Sequence, residues 1–77
     1  MLTDDHVVLV TSAATLMARW SAELSDFELE TIADVGQRYL RCRRNAIVTA
    51  REWAVVEQAV EGMERAQARF LARSRAG

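Results

Sequence analysis

Apolar residues recur every three or four positions along most of this chain, and the recurrence breaks twice. The longest unbroken run lies between Val48 and about Leu71. There Val56, Ala59, Val60, Met63, Ala66 and Phe70 follow the spacing that stacks side chains on one face of a helix. Trp53 and Leu71 widen that face, while Glu57, Glu61, Arg65 and Arg69 fall outside it. An apolar stripe of this length needs a partner surface, and the two preceding segments supply one.

The first segment predicts a helix from Asp4 to about Glu23. Leu9, Ala13, Leu16, Trp20 and Leu24 form one stripe, and Val7, Val10, Ala14 and Met17 form a second beside it. Together they cover about half the circumference, more than a helix with a single neighbour needs. This helix is therefore expected to touch two neighbours, or one neighbour and another molecule. The second segment predicts a helix from Asp26 to about Arg43. Leu29, Ile32, Ala33, Gly36, Tyr39 and Leu40 are expected inside, with Val35 and Cys42 at the margin. Glycine costs up to ~1 kcal/mol inside a helix, so Gly36 on the apolar face suggests a close helix approach. Phe27 points off that face, over the hairpin turn or at an interface.

Where each helix begins is written locally. Leu2-Thr3, Leu24-Ser25 and Val48-Thr49 each place a hydroxyl residue after an apolar one. A Ser or Thr oxygen at such a position accepts from an unpaired backbone N–H, worth roughly 1 kcal/mol. Ser25 with Glu28, and Thr49 with Glu52, fit the reciprocal capping box. The pairs Leu2/Val7, Leu24/Leu29 and Val48/Trp53 have the spacing of a hydrophobic staple. Arginines crowd the end of the second helix, where the dipole favours cations, and Asn45 is a suitable stop. The expectation is an all-α fold: one small antiparallel three-helix bundle with helices at about 4–23, 26–43 and 50–73. The third is longest, and its last two turns either overhang the other two helices or bend back on them.

Composition narrows the classes. At 77 residues, half hydrophobic and without proline, the chain suits one folded helical domain rather than disorder. Cys42 is the sole cysteine, so no internal disulfide staples the bundle and a reducing compartment is expected. Asp4 and Asp5 stand where a secretion signal carries basic residues, and no run approaches the ~18–20 apolar residues of a membrane span. A cytoplasmic protein without a membrane segment is expected. The net charge of −1 hides a polarity: residues 1–36 hold seven acids and one base (−6), residues 37–77 nine bases and four acids (+5). Such polarity holds halves together or drives head-to-tail association. All ten bases are arginine, a usage that fits a GC-rich genome and the small accessory proteins of bacteria and phages.

Catalytic chemistry finds little footing. His6 is the single histidine, and its neighbours Asp4 and Asp5 point in other directions on a helix, whereas a metal site needs three or four convergent ligands. No glycine-rich phosphate loop or nucleophile–base pairing is evident. Positive charge around Cys42 lowers a thiol's pKa, but the helix C-terminus acts the other way and no resolving cysteine exists. No cofactor, metal or enzymatic activity is expected.

The expected function is that of a small helical interaction or regulatory protein. It is expected to be homodimeric or bound to another protein through apolar helix faces, with Trp20, Phe27, Phe70 and Leu71 as candidate interface residues. The alternative is a nucleic-acid-binding regulator. Arg38, Arg41, Arg43, Arg44 and Arg51 straddle one turn and suit contacts to phosphates or to an acidic partner. That reading ranks second, because both flanking helices are long for a helix–turn–helix and Tyr39 lies on the apolar face.

Overall fold

Each of the three helices in the computed structural model, which describes residues 1–76, starts at a hydroxyl residue that closes a capping box or its equivalent. Helix α1 spans Asp4–Trp20, α2 Asp26–Cys42 and α3 Ala50–Ala76. Ser25 Oγ accepts from the Glu28 N–H at 3.2 Å, and Glu28 Oε1 accepts from the Ser25 N–H at 2.9 Å. Thr49 and Glu52 make the same exchange at 3.1 and 3.0 Å. The first helix uses histidine in place of glutamate. Thr3 Oγ1 accepts from the His6 N–H at 3.2 Å, and His6 Nδ1 accepts from the Thr3 N–H at 3.3 Å. An accepting Nδ1 places the ring proton of neutral His6 on Nε2. The ring also stacks on Trp53, centroids 4.3 Å apart and planes within 7°. His6→Ala removes the Nδ1 half of the capping box and the stack, leaves Thr3 Oγ1 its backbone donor, and is expected to cost about 1 kcal/mol, read as a lower thermal midpoint.

The two breaks in the apolar pattern are tight turns. After Trp20 the chain narrows to a 3-10 turn, Ser21–Glu23, so α1 is three residues shorter than expected. After Cys42 a second such turn runs Arg43–Asn45. The stop lies at Arg43 rather than at Asn45: Arg43 has φ +52° and donates its N–H to the Tyr39 carbonyl. A side chain there is strained by ~1–3 kcal/mol. Arg43→Gly is expected to stabilise the fold by about 1 kcal/mol after the extra freedom of glycine in the unfolded chain is set against it. A chemical denaturation midpoint measures this.

The core draws on all three helices. Val10 and Ala13 of α1, Ile32 and Val35 of α2, and Val56, Ala59, Val60 and Met63 of α3 are buried against one another. The α1–α3 seam is the closest. Ala13 and Ala59 keep it narrow, and the Trp20 ring meets Phe70 edge-on at 5.7 Å at its far end. Helix α2 is rotated from its expected setting. Val35, expected at the margin, is 2% exposed, whereas Leu40 is 66% exposed and Ala33 faces outward. The Gly36 expectation also fails, since a Cβ there would meet nothing within 4 Å.

Two clamps fasten the ends. Leu2 is buried and donates its N–H to the Arg44 carbonyl at 2.7 Å. Arg44 answers through Nη1 to the Leu2 carbonyl at 3.4 Å and Nη2 to Asp4 at 2.7 Å. At the opposite end Arg69 of α3 reaches Glu23 at 3.2 Å. Helix α3 has 27 residues and α1 and α2 have 17 each, lengths of about 40 and 25 Å at 1.5 Å per residue. The overhang is present, and it stretches the molecule to 46 Å and its radius of gyration to 13.3 Å. A fully compact chain of this size has about 11.5 Å. No described helix is long and apolar enough to cross a membrane.

Candidate interaction surfaces

The arginines gathered by sequence around the second turn separate once the chain folds. Arg38 lies between α2 and α3. It donates to Glu52 through both amino groups, at 2.9 and 2.7 Å, to Asp34 one turn earlier, and to the Ile47 carbonyl at 3.0 Å. These bonds hold the Arg38 guanidinium well above its ordinary pKa, with the Glu52 bond the largest cause. They hold Glu52 down to about 2, first through Arg38 and then through the Thr49 N–H. Arg44 is spent on the N-terminal clamp. Arg43 lies over the Tyr39 ring at 5.9 Å. Arg41 and Arg51 are exposed and have no ion-pair partner among the described residues. The cluster therefore presents three outward arginines, while two bind the turn to the helices around it.

The Glu52 pairing has a pH signature. Its folded pKa of about 2 lies below the usual 4.5, so the carboxylate contributes stability above pH 4.5. That contribution is lost as pH falls through about 2. Glu52→Gln keeps an oxygen for the Thr49 N–H but lacks the charge. A plot of thermal midpoint against pH is expected to be flatter for this variant between pH 4.5 and 2 and lower above that window.

The candidate interface residues divide likewise. Trp20 is half-buried, and Phe70 packs on it with the Arg19 guanidinium 4.6 Å over its ring. Leu71 is exposed on the overhang, and Phe27 is 61% exposed on the outer side of α2. Cys42 is exposed at the helix end. His6 Nδ1 is engaged in its cap, and among the described residues no three His, Cys, Asp or Glu side chains converge as metal ligands.

The most distinctive surface lies along the second apolar stripe of α1. Helices α1 and α2 meet at their floor and part above it, leaving an apolar groove of about 430 Å³. Val10, Ala14 and Met17 form one wall, and Ile32, Gly36 and Leu40 the other. None of its lining residues is charged. A smaller void of about 30 Å³ lies beneath, between Ala13, Val35 and Gly36, which is why Gly36 has room to spare. The signal available in the sequence was the second stripe of α1, Val7, Val10, Ala14 and Met17, which is wider than one neighbour accounts for.

Comparison with protein-family models, curated proteins and solved structures gives no match for this chain.

Proposed function

We propose that this chain is a non-catalytic interaction protein that works by presenting helix faces, and that its first partner is a second copy of itself. The uncharged groove between α1 and α2 carries this reading. Apolar side chains left in water along two adjacent helices forgo roughly 25 cal/mol for each Å² that a partner would cover. A charge-depleted apolar centre is the compositional mark of an interface. The nucleic-acid alternative ranks lower, because Arg38 and Arg44 already serve the fold and three arginines remain for phosphate contact. Light scattering across a wide concentration range tests the proposal: a mass of twice 8.7 kDa is expected at high concentration. A well-folded monomer throughout that range would sink the homodimer, and binding of a duplex with a steep salt dependence would favour the alternative.

A further inference from the structure

We infer that the last turns of α3 bind the phosphate backbone of a nucleic-acid duplex through a row of arginines, Arg65, Arg69 and Arg73. The row is separate from the groove and from the arginines of the second turn, so the inference holds whether or not the chain dimerises.

Between Arg65 and Arg75, α3 carries four arginines and no acid. Arg65, Arg69 and Arg73 follow at four-residue intervals, which lines them up along one side of the helix about 6 Å apart. All three are exposed. The fold makes little use of them. Arg65 and Arg73 have no ion-pair partner among the described residues, and Arg69 has only its exposed pair with Glu23 at 3.2 Å. Like charges one turn apart destabilise a helix, so the row works against the helix that carries it. The helix dipole accounts for the cations of the last turn, Arg73 and Arg75, but not for Arg65 and Arg69.

What surrounds the row selects the partner. Ala68 and Ala72 flank it and are exposed, as is every residue from Gln67 to Arg75, so a large and rigid partner can approach. Leu71 lies two residues from both Arg69 and Arg73, which places it on the opposite side of the helix. The row therefore offers charge with little apolar area, whereas a lipid surface or a protein interface needs both. Phosphates on each strand of a duplex recur every ~3.4 Å of its axis, and the row spans about 12 Å, enough to meet several. Arginine forks suit phosphate oxygens. A single strand fits less well, because it needs a free aromatic ring for stacking. Phe70, the one aromatic residue on this stretch, meets the Trp20 ring and lies under the Arg19 guanidinium. Glu61 continues the same line one turn before Arg65 and ends the footprint there.

Fluorescence anisotropy of a labelled duplex of ~20 base pairs and arbitrary sequence tests this on the full chain. Three phosphate contacts give log K against log salt a slope of about −2.7, so affinity should fall about 500-fold between ~20 and ~200 mM salt. Arg65→Gln with Arg73→Gln removes two unpaired, exposed cations, and far-UV circular dichroism checks that the fold survives. This double variant should bring the slope to about −0.9 and weaken binding at low salt by ~10-fold or more. Arg41→Gln with Arg51→Gln should leave both unchanged. The reverse pattern would assign the duplex to the second turn and overturn the inference. Absence of duplex binding at ~20 mM salt would overturn it outright. So would binding to vesicles of phosphatidylserine and phosphatidylcholine without binding to the duplex. The mass measured by light scattering bears on none of these outcomes, so the homodimer stands or falls separately.

Discussion

Met63→Ala is expected to remove a large part of the stability of this protein. Met63 is 0% exposed and lies where α1, α2 and α3 meet. Truncating a buried methionine to alanine costs about 2–5 kcal/mol through lost burial and the cavity left behind. A domain of this size has only about 4–12 kcal/mol in total. The thermal midpoint should fall by ~15 °C or more, with the transition broadened. No disulfide stands in reserve to constrain the unfolded chain, since Cys42 has no partner cysteine. Leu71→Ala serves as the reference. It removes a similar number of carbon atoms from an exposed site and should change stability by less than about 0.5 kcal/mol. Equal losses in the two variants would contradict the placement of the core.

Val35→Asp should unfold the chain, whereas Leu40→Asp should not. Both are substitutions of an apolar residue by a carboxylate on α2, five positions apart. Val35 is 2% exposed and packs with Val10 and Val56. No cation is available there, and an unpaired buried charge costs about 3 kcal/mol or more. Leu40 stands on the open rim of the groove and is 66% exposed, so the cost should be within about 0.5 kcal/mol. Urea denaturation followed by far-UV circular dichroism separates the two. If Leu40→Asp proved the more damaging, α2 would be turned as its sequence periodicity suggested rather than as the structure places it.

That rotation shows where the sequence stops being informative. The apolar positions of α2 form an arc wide enough to accommodate either setting, and helical periodicity identifies an arc, not the line within it that meets a neighbour. Which line is buried depends on the other two helices. In this fold α1 and α3 are held together by small residues at Ala13 and Ala59 and by the Trp20–Phe70 contact. Helix α2 then settles with Val35 toward the seam and leaves Leu40 and Ala33 outside. The same geometry explains Gly36. Its lack of a Cβ was expected to admit a neighbouring helix, but the two helices diverge at that height and open the groove instead.

What the sequence determined by itself was local: the helical class, the number of helices, their starts and the excess length of the third. Each follows from interactions within four residues, namely the side-chain-to-backbone caps at Thr3, Ser25 and Thr49 and the three-to-four spacing of apolar residues. Even the histidine cap lies within that range, hidden only because glutamate usually fills the position. Tertiary structure alone decided the rest. It placed Arg38 against Glu52 fourteen residues away and Arg44 against Leu2 forty-two residues away. It thereby divided an apparent basic patch into structural and outward arginines, and it opened the uncharged groove between α1 and α2. These features depend on the relative rotation and splay of whole helices. Those are set by the volumes of side chains that meet across the core, and no window of neighbouring residues contains them.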